Sequence, residues 1–197
     1  MGTRAIFLDK DGTLVENMPF NVDPEKMRLM PGAVEGGRLL HRAGYLLVVI
    51  SNQAGVAHGY FQEYELARVK TRLEELLAQA GVPLSGFYYC PHHPAGKVAG
   101  YGIICDCRKP APGLIWRAVC ELDIDLTGSW FIGDILDDIE AGRRAGCLTA
   151  LIDNGNETEW RFSAERIPHV TATDLAQAAR RIADRSGNTK VFINTFQ

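Results

Sequence analysis

Apolar and polar residues follow each other along the chain in a pattern that predicts alternating strands and helices. Short continuous apolar runs are typical of strands buried on both faces of a parallel sheet, whereas apolar residues three and four apart are typical of amphipathic helices. The predicted strands are residues 4–8, 45–50, 87–89, 130–132 and 147–152. The predicted helices are residues 33–43, 62–80, 112–122, 136–145 and 173–184. We therefore expect an α/β fold, a doubly wound parallel sheet with helices on both faces.

Two segments depart from this alternation. Residues 14–31 leave the first strand directly and contain three prolines that prevent a long helix, so we expect a flap that folds back over the end of that strand. Residues 90–107 form a loop that carries cysteines and histidines. We expect a single domain over residues 1–185, with this loop inserted, and a C-terminal tail over residues 186–197.

Composition and charge narrow the functional classes. The chain has 197 residues, of which 46% are hydrophobic and 23% charged, as is ordinary for a globular protein. A formal net charge of −3 lacks the excess of positive charge that is typical of nucleic-acid-binding proteins. No apolar run approaches the ~20 residues of a membrane helix. Five cysteines, an odd number, argue against a secreted disulfide framework, and residues 1–15 lack a signal-peptide pattern. We expect a cytoplasmic monomer that binds neither nucleic acid nor membrane.

Polar side chains follow four of the predicted strands. They are Asp9 and Asp11, Ser51 and Asn52, the segment 90–109, and Asp134. Each has an ordinary explanation when taken alone, since Ser51 and Asn52 suit a turn and the acids near Asp134 suit the N-terminus of a helix. Because the carboxyl ends of strands in a doubly wound sheet can converge on one crevice, the four together predict a single polar site.

The densest group is Asp9-Lys10-Asp11-Gly12, in which two carboxylates lie one residue apart after a buried strand. Carboxylates confined together require a cation, a shared proton or solvent, because like charges repel. A calcium loop of the EF-hand type would place glycine sixth and glutamate twelfth, but here glycine is fourth and the twelfth residue is Phe20. A solvated turn and a magnesium-assisted phosphoryl-transfer site with an aspartate nucleophile remain.

The other strand ends favour phosphoryl transfer, which needs an in-line nucleophile, a divalent cation and donors around the phosphoryl oxygens. Asp9 is the expected nucleophile, and Asp11 the general acid and base. Asp9 and Asp134 can supply oxygen ligands to Mg²⁺. Ser51 and Lys109 can bind the phosphoryl oxygens. The chain has no Gly-x-x-x-x-Gly-Lys-Ser/Thr motif, so nothing indicates transfer from a nucleotide.

Taken in order, these motifs resemble those of the haloacid dehalogenase (HAD) phosphohydrolase superfamily over roughly residues 5–153. The matching residues are Asp9-x-Asp11-Gly12-Thr13, Ser51-Asn52, Lys109 and Gly133-Asp134 with Asp137-Asp138. In that superfamily the first aspartate forms an aspartyl-phosphate and the second acts as acid and base. The resemblance implies a Mg²⁺-dependent phosphomonoesterase with Asp9, Asp11 and Asp134 at the metal. It leaves open whether Asp137 or Asp138 supports the metal.

The loop carries two pairs of metal-ligand residues, Cys90-Pro91-His92 and Cys105-Asp106-Cys107, with twelve residues between the pairs. Four such ligands suffice for a closed tetrahedral zinc site, and a closed site is structural. Free cysteines beside a surface histidine are the alternative, but the loop has too little apolar content to bury thiols by itself. The symmetry of the two pairs favours His92 as the fourth ligand, and His93 stays open.

A narrower resemblance rests on Cys-Pro-His-His-Pro at 90–94 and Cys-Asp-Cys-Arg-Lys-Pro at 105–110, which are similar to the D-glycero-D-manno-heptose 1,7-bisphosphate phosphatases. In that family the zinc loop replaces a cap domain, and no insertion here is large enough to be one. The family's arginine helps to recognise the substrate and its lysine steadies the phosphoryl group, which implies these roles for Arg108 and Lys109. We also expect Asn52 to contact the substrate.

Two departures from that family concern the substrate. Ile135 follows Asp134 where the family often has lysine, and residues 17–20 differ from the usual form of the flap. The expected reaction is removal of the 7-phosphate of the heptose bisphosphate. Histidinol-phosphate phosphatase domains share both zinc half-sites, so histidinol phosphate is the alternative substrate. An inactive zinc-stapled interaction protein is the alternative from another class.

Overall fold

A computed structural model describes the backbone of residues 2–193 and the side chains of residues 2–185. Six strands lie in it: β1 Ala5–Leu8, β2 Leu46–Asn52, β3 Gly86–Cys90, β4 Trp130–Gly133, β5 Leu148–Ile152 and β6 Val170–Ala172. Six α-helices accompany them: α1 Ala33–Arg42, α2 Gly55–His58, α3 Leu66–Gln79, α4 Gly113–Leu122, α5 Leu136–Ala145 and α6 Leu175–Ile193.

The strands form one parallel sheet in the order β3-β2-β1-β4-β5-β6. The chain builds outwards from β1 through β2 to β3, then returns to the other side of β1 with β4. The order therefore reverses beside β1, and in open parallel sheets the ligand crevice lies at the carboxyl ends of the strands at such a point. The predicted doubly wound α/β fold is confirmed.

Two apolar cores, one on each face of the sheet, fix the position of β1. Ile6 and Leu8 belong to the core beneath α1, α3 and α6, whereas Phe7 belongs to the core beneath α4 and α5. All three side chains are at most 1% exposed, and burying each contributes roughly 1.5–3 kcal/mol. The strand that precedes the two predicted carboxylates is thus among the most firmly held segments of the protein.

Two elements were missed, and two helices have an end more than two residues from its predicted position. Strand β6 was not predicted, because three residues are too few to show a period. Helix α2 was not predicted either. The helix predicted over 62–80 begins at Leu66, since residues 63–65 form a 3₁₀ turn closed by the Glu65 carboxylate, which accepts from the Gln62 N–H at 2.7 Å. Helix α6 extends past its predicted end at 184, into the predicted tail.

The end of the predicted tail, residues 194–197, lies outside the described residues, as do the side chains of residues 186–193. Within the described part of the chain, none of the helices combines the length and the apolar character needed to cross a membrane.

Candidate active site

A cleft opens at the carboxyl ends of β1, β2 and β4, where the topology places it. Its walls come from the turn after β1, the flap, the turn after β2, the end of the cysteine loop and the turn after β4. The lining residues are Asp9, Asp11, Asn17, Met18, Pro19, Phe20, Asn21, Asn52, Gln53, Ala54, Gly55, Arg108, Lys109, Asp134 and Ile135. The segment after β1 therefore folds back over the cleft, as the prolines and the position of this segment predicted.

Lys109 lies at the floor of this cleft between two buried carboxylates. Its Nζ is 2.5 Å from Asp9 Oδ1 and 2.6 Å from Asp138 Oδ1, and it donates to the Ile50 carbonyl at 3.0 Å. Burial disfavours the charged ammonium group, but Asp138 and Asp9 outweigh that effect and raise the pKa of Lys109. Lys109 therefore carries a full positive charge at neutral pH.

The carboxylates outnumber this cation. Asp9, Asp134 and Asp138 are all buried, and their ligand oxygens lie within 4.8 Å of one another. Burial raises the pKa of Asp9, an effect that Lys109 opposes and that Asp138, Asp134 and Asp11 reinforce. Burial and the charge of Asp138 raise the pKa of Asp134 to about 7. Three buried acids beside one lysine fit a hard divalent cation such as Mg²⁺, which takes carboxylate oxygens as ligands.

Gly12 lets the turn after β1 approach these acids closely. Its φ of +87° lies in the left-handed region that favours glycine. A Cβ at this position would also collide with the carboxylate of Asp134 and the side-chain amide of Asn156. Both the turn and the close approach thus require glycine.

Asp11 lies beside the buried acids but is more open to solvent, with its side chain 31% exposed. It forms an ion pair with the buried Lys10 and accepts from Gln53 Nε2 at 3.3 Å. The same Gln53 amide donates to Ser51 Oγ at 2.8 Å. A carboxylate that is anchored yet accessible from the cleft can exchange protons with a bound molecule or with water.

Asn52 fixes the backbone of Lys109. Its Nδ2 donates to the Lys109 carbonyl and its Oδ1 accepts from the Lys109 N–H, both at 3.1 Å. This pair of bonds ties the end of β2 to the end of the cysteine loop. Asn52 also lines the cleft, so the structure leaves it in reach of a ligand.

The four cysteine-loop ligands predicted from the sequence come together. Cys90, His92, Cys105 and Cys107 place their ligand atoms within 4.8 Å of one another. The sulfur–sulfur distances are 3.1–3.6 Å, longer than the ~2.05 Å of a disulfide and near the ~3.7 Å that tetrahedral Zn–S bonds imply. Burial raises the pKa of the Cys90 thiol to about 11, so a cation is what would favour a thiolate there.

His93 lies elsewhere in the loop. Its ring centroid is 4.7 Å from that of His58, and its Nδ1 accepts from the Ala95 N–H at 3.1 Å. Between the two histidines that the sequence left open, it is His92 that the structure groups with the cysteines.

The cysteine loop is tied to both the cleft and the body of the protein. Arg108 donates to the His92 carbonyl at 3.4 Å and lines the cleft, directly before Lys109. On the other side, the Glu63 carboxylate accepts from the hydroxyls of Tyr89 at 3.0 Å and Tyr101 at 2.6 Å. The position of Arg108 therefore depends on the order of this loop.

Sequence reasoning missed a set of polar side chains after β5. Asn154 donates to the Gly12 carbonyl at 2.8 Å, and Asn156 donates to Asp134 Oδ2 at 2.7 Å. Glu157 accepts from the Leu136 N–H at the start of α5, at 2.6 Å. The rule that polar residues at strand ends form the site would have found Asn154, because it follows β5 at the same edge of the sheet.

The sequence left open which of the two acids at the start of α5 supports the metal. In the structure the two acids have different partners. Asp138 contacts Lys109, whereas Asp137 pairs with Arg166 at 2.6 Å. Asp138 is thus the one that lies at the buried acids.

Comparisons with known proteins agree with the fold. The HAD-hydrolase-like family matches residues 106–178, and the sheet order and the strand-end acids define the chain as a HAD-like hydrolase. A D-glycero-β-D-manno-heptose-1,7-bisphosphate 7-phosphatase from Photorhabdus laumondii is 40% identical over 92% of this chain and 96% of its own length. A heptose bisphosphate phosphatase of the same name from Pasteurella multocida is 42% identical, and the match covers 77% of this chain and 83% of that protein. The chain belongs to this family of heptose bisphosphate phosphatases and is a phosphatase.

A solved structure supports the same assignment. The D,D-heptose 1,7-bisphosphate phosphatase from B. bronchiseptica, complexed with magnesium and phosphate, superposes with a TM-score of 0.73. It is 28% identical, and the match covers 92% of this chain and 99% of that one. The predicted family and enzyme class are confirmed.

Proposed function

We propose that this protein is a Mg²⁺-dependent phosphomonoesterase that removes the 7-phosphate of D-glycero-β-D-manno-heptose 1,7-bisphosphate. The observation that carries the proposal is the cluster of Asp9, Asp134 and Asp138 around Lys109, at the sheet edge where the topology places a ligand. The names of the relatives supply the substrate, and the magnesium and phosphate in the B. bronchiseptica structure fit the same chemistry.

Asp9 is the proposed nucleophile. Lys109 holds Oδ1 of Asp9, which leaves Oδ2 to attack the phosphorus atom. As the new bond forms, the bond from phosphorus to the sugar oxygen breaks, and Asp11 in its protonated form delivers its proton to that oxygen. Asp11 then takes a proton from water, whose oxygen attacks the aspartyl-phosphate. This step releases inorganic phosphate and restores Asp9.

The remaining roles concern charge. Asp9 and Asp134 from the buried cluster, with Asp11 beside it in the cleft, are the proposed groups at the metal, and Asp138 supports them through Lys109. When bound, Mg²⁺ supplies the positive charge that lets an anionic carboxylate approach an anionic phosphoryl group. Ser51 and Lys109 are the proposed donors to the phosphoryl oxygens.

Cys90, His92, Cys105 and Cys107 are the proposed ligands of a structural zinc ion that holds the loop in place of a cap domain. Free thiols so close together would be prone to oxidise outside a reducing compartment, so we also propose a cytoplasmic protein. We propose that it acts as a monomer.

Arg108 and Asn52 are the proposed contacts to the part of the substrate that leaves. Arg108 lies half-buried at the wall of the cleft, where its planar cation suits the second phosphate of a sugar bisphosphate. Histidinol phosphate would present a cationic amine to the same wall, so the geometry disfavours it.

The proposal is tested by the catalytic efficiency on heptose 1,7-bisphosphate, histidinol phosphate and other sugar phosphates, with and without Mg²⁺. We expect magnesium-dependent hydrolysis with kcat/KM highest for the heptose bisphosphate. Higher efficiency on histidinol phosphate would assign the enzyme to the other substrate. Absence of any hydrolysis would leave only the zinc-stapled interaction protein.

A further inference from the structure

Four aromatic rings contact one another in a group that reaches the cleft through Phe20. We call them the aromatic rim: Phe20 from the flap, His58 from the end of α2, Tyr60 from the turn after it, and His93 from the cysteine loop. The ring centroids of Phe20 and Tyr60 are 4.6 Å apart, those of His58 and Tyr60 5.7 Å, and those of His58 and His93 4.7 Å. Three separate segments of the chain thus meet through their rings.

Folding alone does not explain the position of Phe20. Its φ of +56° lies in the left-handed region, which is unfavourable for a bulky side chain. Its side chain is 50% exposed, and that of Tyr60 is 64% exposed. The positive φ and the exposure of an apolar ring to water both lower the stability of the folded protein. Such features concentrate at ligand sites.

Phe20 also lies in the right place to meet a substrate. It lines the same cleft as Asp9, the proposed nucleophile, and Arg108, the proposed contact to the second phosphate. The rim therefore borders the region that a molecule occupies when one phosphate is at Asp9 and another group extends outwards. Ligand clefts combine apolar and aromatic walls with a few polar groups in this manner.

We infer that the aromatic rim, which reaches the cleft through Phe20, binds the sugar ring of the substrate and so determines specificity. This inference rests on the proposed function. The C–H face of a sugar is apolar and can lie against an aromatic ring, while its hydroxyl groups remain free to bond to polar neighbours such as His58 and His93. A substrate without a ring would leave the rim in water.

The inference also gives the cysteine loop a second task. His93 contacts His58 from that loop, and His58 in turn contacts Phe20 at 6.2 Å between centroids. The flap and the cysteine loop then contact the sugar from two sides.

The test compares two phosphomonoester substrates, heptose 1,7-bisphosphate and glycerol 2-phosphate, which has neither a ring nor a second phosphate. Nitrophenyl phosphate is unsuitable, because its own aromatic ring would stack on the rim. The variant Phe20→Asn removes the ring and keeps a residue that tolerates the left-handed conformation. The ratio of kcat/KM for the heptose substrate to that for glycerol 2-phosphate should fall about tenfold, mostly through KM. The melting temperature should not fall, because the backbone strain of Phe20 is relieved.

Two further variants control the test. Phe20→Tyr keeps the ring and should restore the ratio. Tyr64→Ala removes a ring that is 76% exposed but lines a separate depression with Leu66 and Lys70, so it should leave both activities unchanged. An unchanged ratio in Phe20→Asn would overturn the inference and leave the proposed function standing. A wild-type protein that hydrolyses neither substrate would overturn both.

Discussion

Lys109 is the residue on which the charge balance of the cleft depends. Its ammonium group touches two of the three buried acids, and the Asn52 side chain holds its backbone on both sides of the peptide. Without Lys109, burial and the neighbouring acids would raise the pKa of Asp9 with no positive charge to oppose them. A neutral carboxyl group is a poor nucleophile, so the reactivity of Asp9 depends on this lysine.

Replacing Lys109 with methionine should lower kcat on any phosphomonoester by about 10²–10³, the usual loss when one charge-stabilising donor is removed. The acidic limb of the pH–rate profile should also move to higher pH, because the opposing charge on Asp9 is gone. Steady-state kinetics from pH 5 to pH 9 at saturating Mg²⁺ would show both effects. Lys70→Met, at an exposed lysine paired with Glu74, is the matched control. A loss below tenfold would mean that Lys109 has only a structural role.

Asn156 should act through Asp134, to whose Oδ2 it donates. Asn156→Leu removes this donor, and loss of a hydrogen bond to a ligand typically weakens metal binding by about 10–100-fold. The Mg²⁺ concentration for half-maximal activity should rise accordingly, and calorimetric Mg²⁺ binding to the free enzyme should weaken in parallel. Glu159→Ala, in the same loop but exposed, should change neither. Normal magnesium affinity with a lowered melting temperature would show that Asn156 only stabilises the loop.

The raised pKa of Asp134 makes stability depend on pH and metal together. Its folded-state pKa is about 7 against an ordinary value of 3.8, so the folded protein binds a proton more tightly than the unfolded chain. This contribution is present below about pH 4 and is lost as pH rises towards 7. We expect the metal-free protein to lose stability over that range, and Mg²⁺ to raise the melting temperature more at pH 8 than at pH 5.5.

Thermal melts in magnesium-free buffer, prepared without a chelator that would also remove zinc, measure this dependence. In Asp134→Asn the magnesium effect should be much reduced. A magnesium shift that is equal at both pH values would argue against a metal site built on Asp134.

At the scale of elements, the site residues at the strand ends could be predicted from the sequence. Most of the hydrogen bonds that hold these residues in position could not. β1 is a continuous apolar run followed by two acids, so both its position and its chemistry are visible in the sequence. Asn156, the partner of Asp134, comes from a loop whose residues 153–169 have no period and no motif, and only Asn154, the partner of Gly12, lies where the strand-end rule would look. Which acid of the Asp137–Asp138 pair turns inwards depends on the rotation of α5 against β4, which only the packed structure fixes.

The aromatic rim could not be predicted from the sequence either. Phe20, His58 and His93 belong to three segments whose contacts depend on how the flap and the cysteine loop fold. The cysteine ligands were easier to find, because two pairs at equal internal spacing are a local pattern.

The cysteine loop should fold only around its metal. Cys105→Ser removes one of four ligands, and a structural zinc contributes directly to folding. We expect the purified wild-type protein to contain one zinc ion per chain, the variant to contain none, and residues 90–107 to exchange amide hydrogens faster in the variant. Cys120→Ser, at an exposed cysteine outside the loop, is the control. A wild-type protein that was kept reduced and free of chelator yet contains no zinc would refute the assignment.

At the scale of the whole molecule, a rigid sheet carries a site made almost entirely of loops. The two cores hold β1 and β4, and the flap, the cysteine loop and the loop after β5 each add side chains at one sheet edge. This division explains why family and reaction type could be inferred from motifs at strand ends, whereas the loops to which we assign substrate specificity carry no comparable motif.

The central claim is that Asp9 removes the 7-phosphate of heptose 1,7-bisphosphate, and ³¹P NMR of that reaction in the presence of Mg²⁺ tests it most directly. The wild-type protein should release one equivalent of inorganic phosphate and leave the phosphate on C1 in place. The Asp9→Asn variant should still unfold cooperatively on heating, which shows that it is folded. It should release no inorganic phosphate, because an amide is not a nucleophile. Loss of the C1 phosphate, or phosphate release by Asp9→Asn near the wild-type rate, would contradict the account.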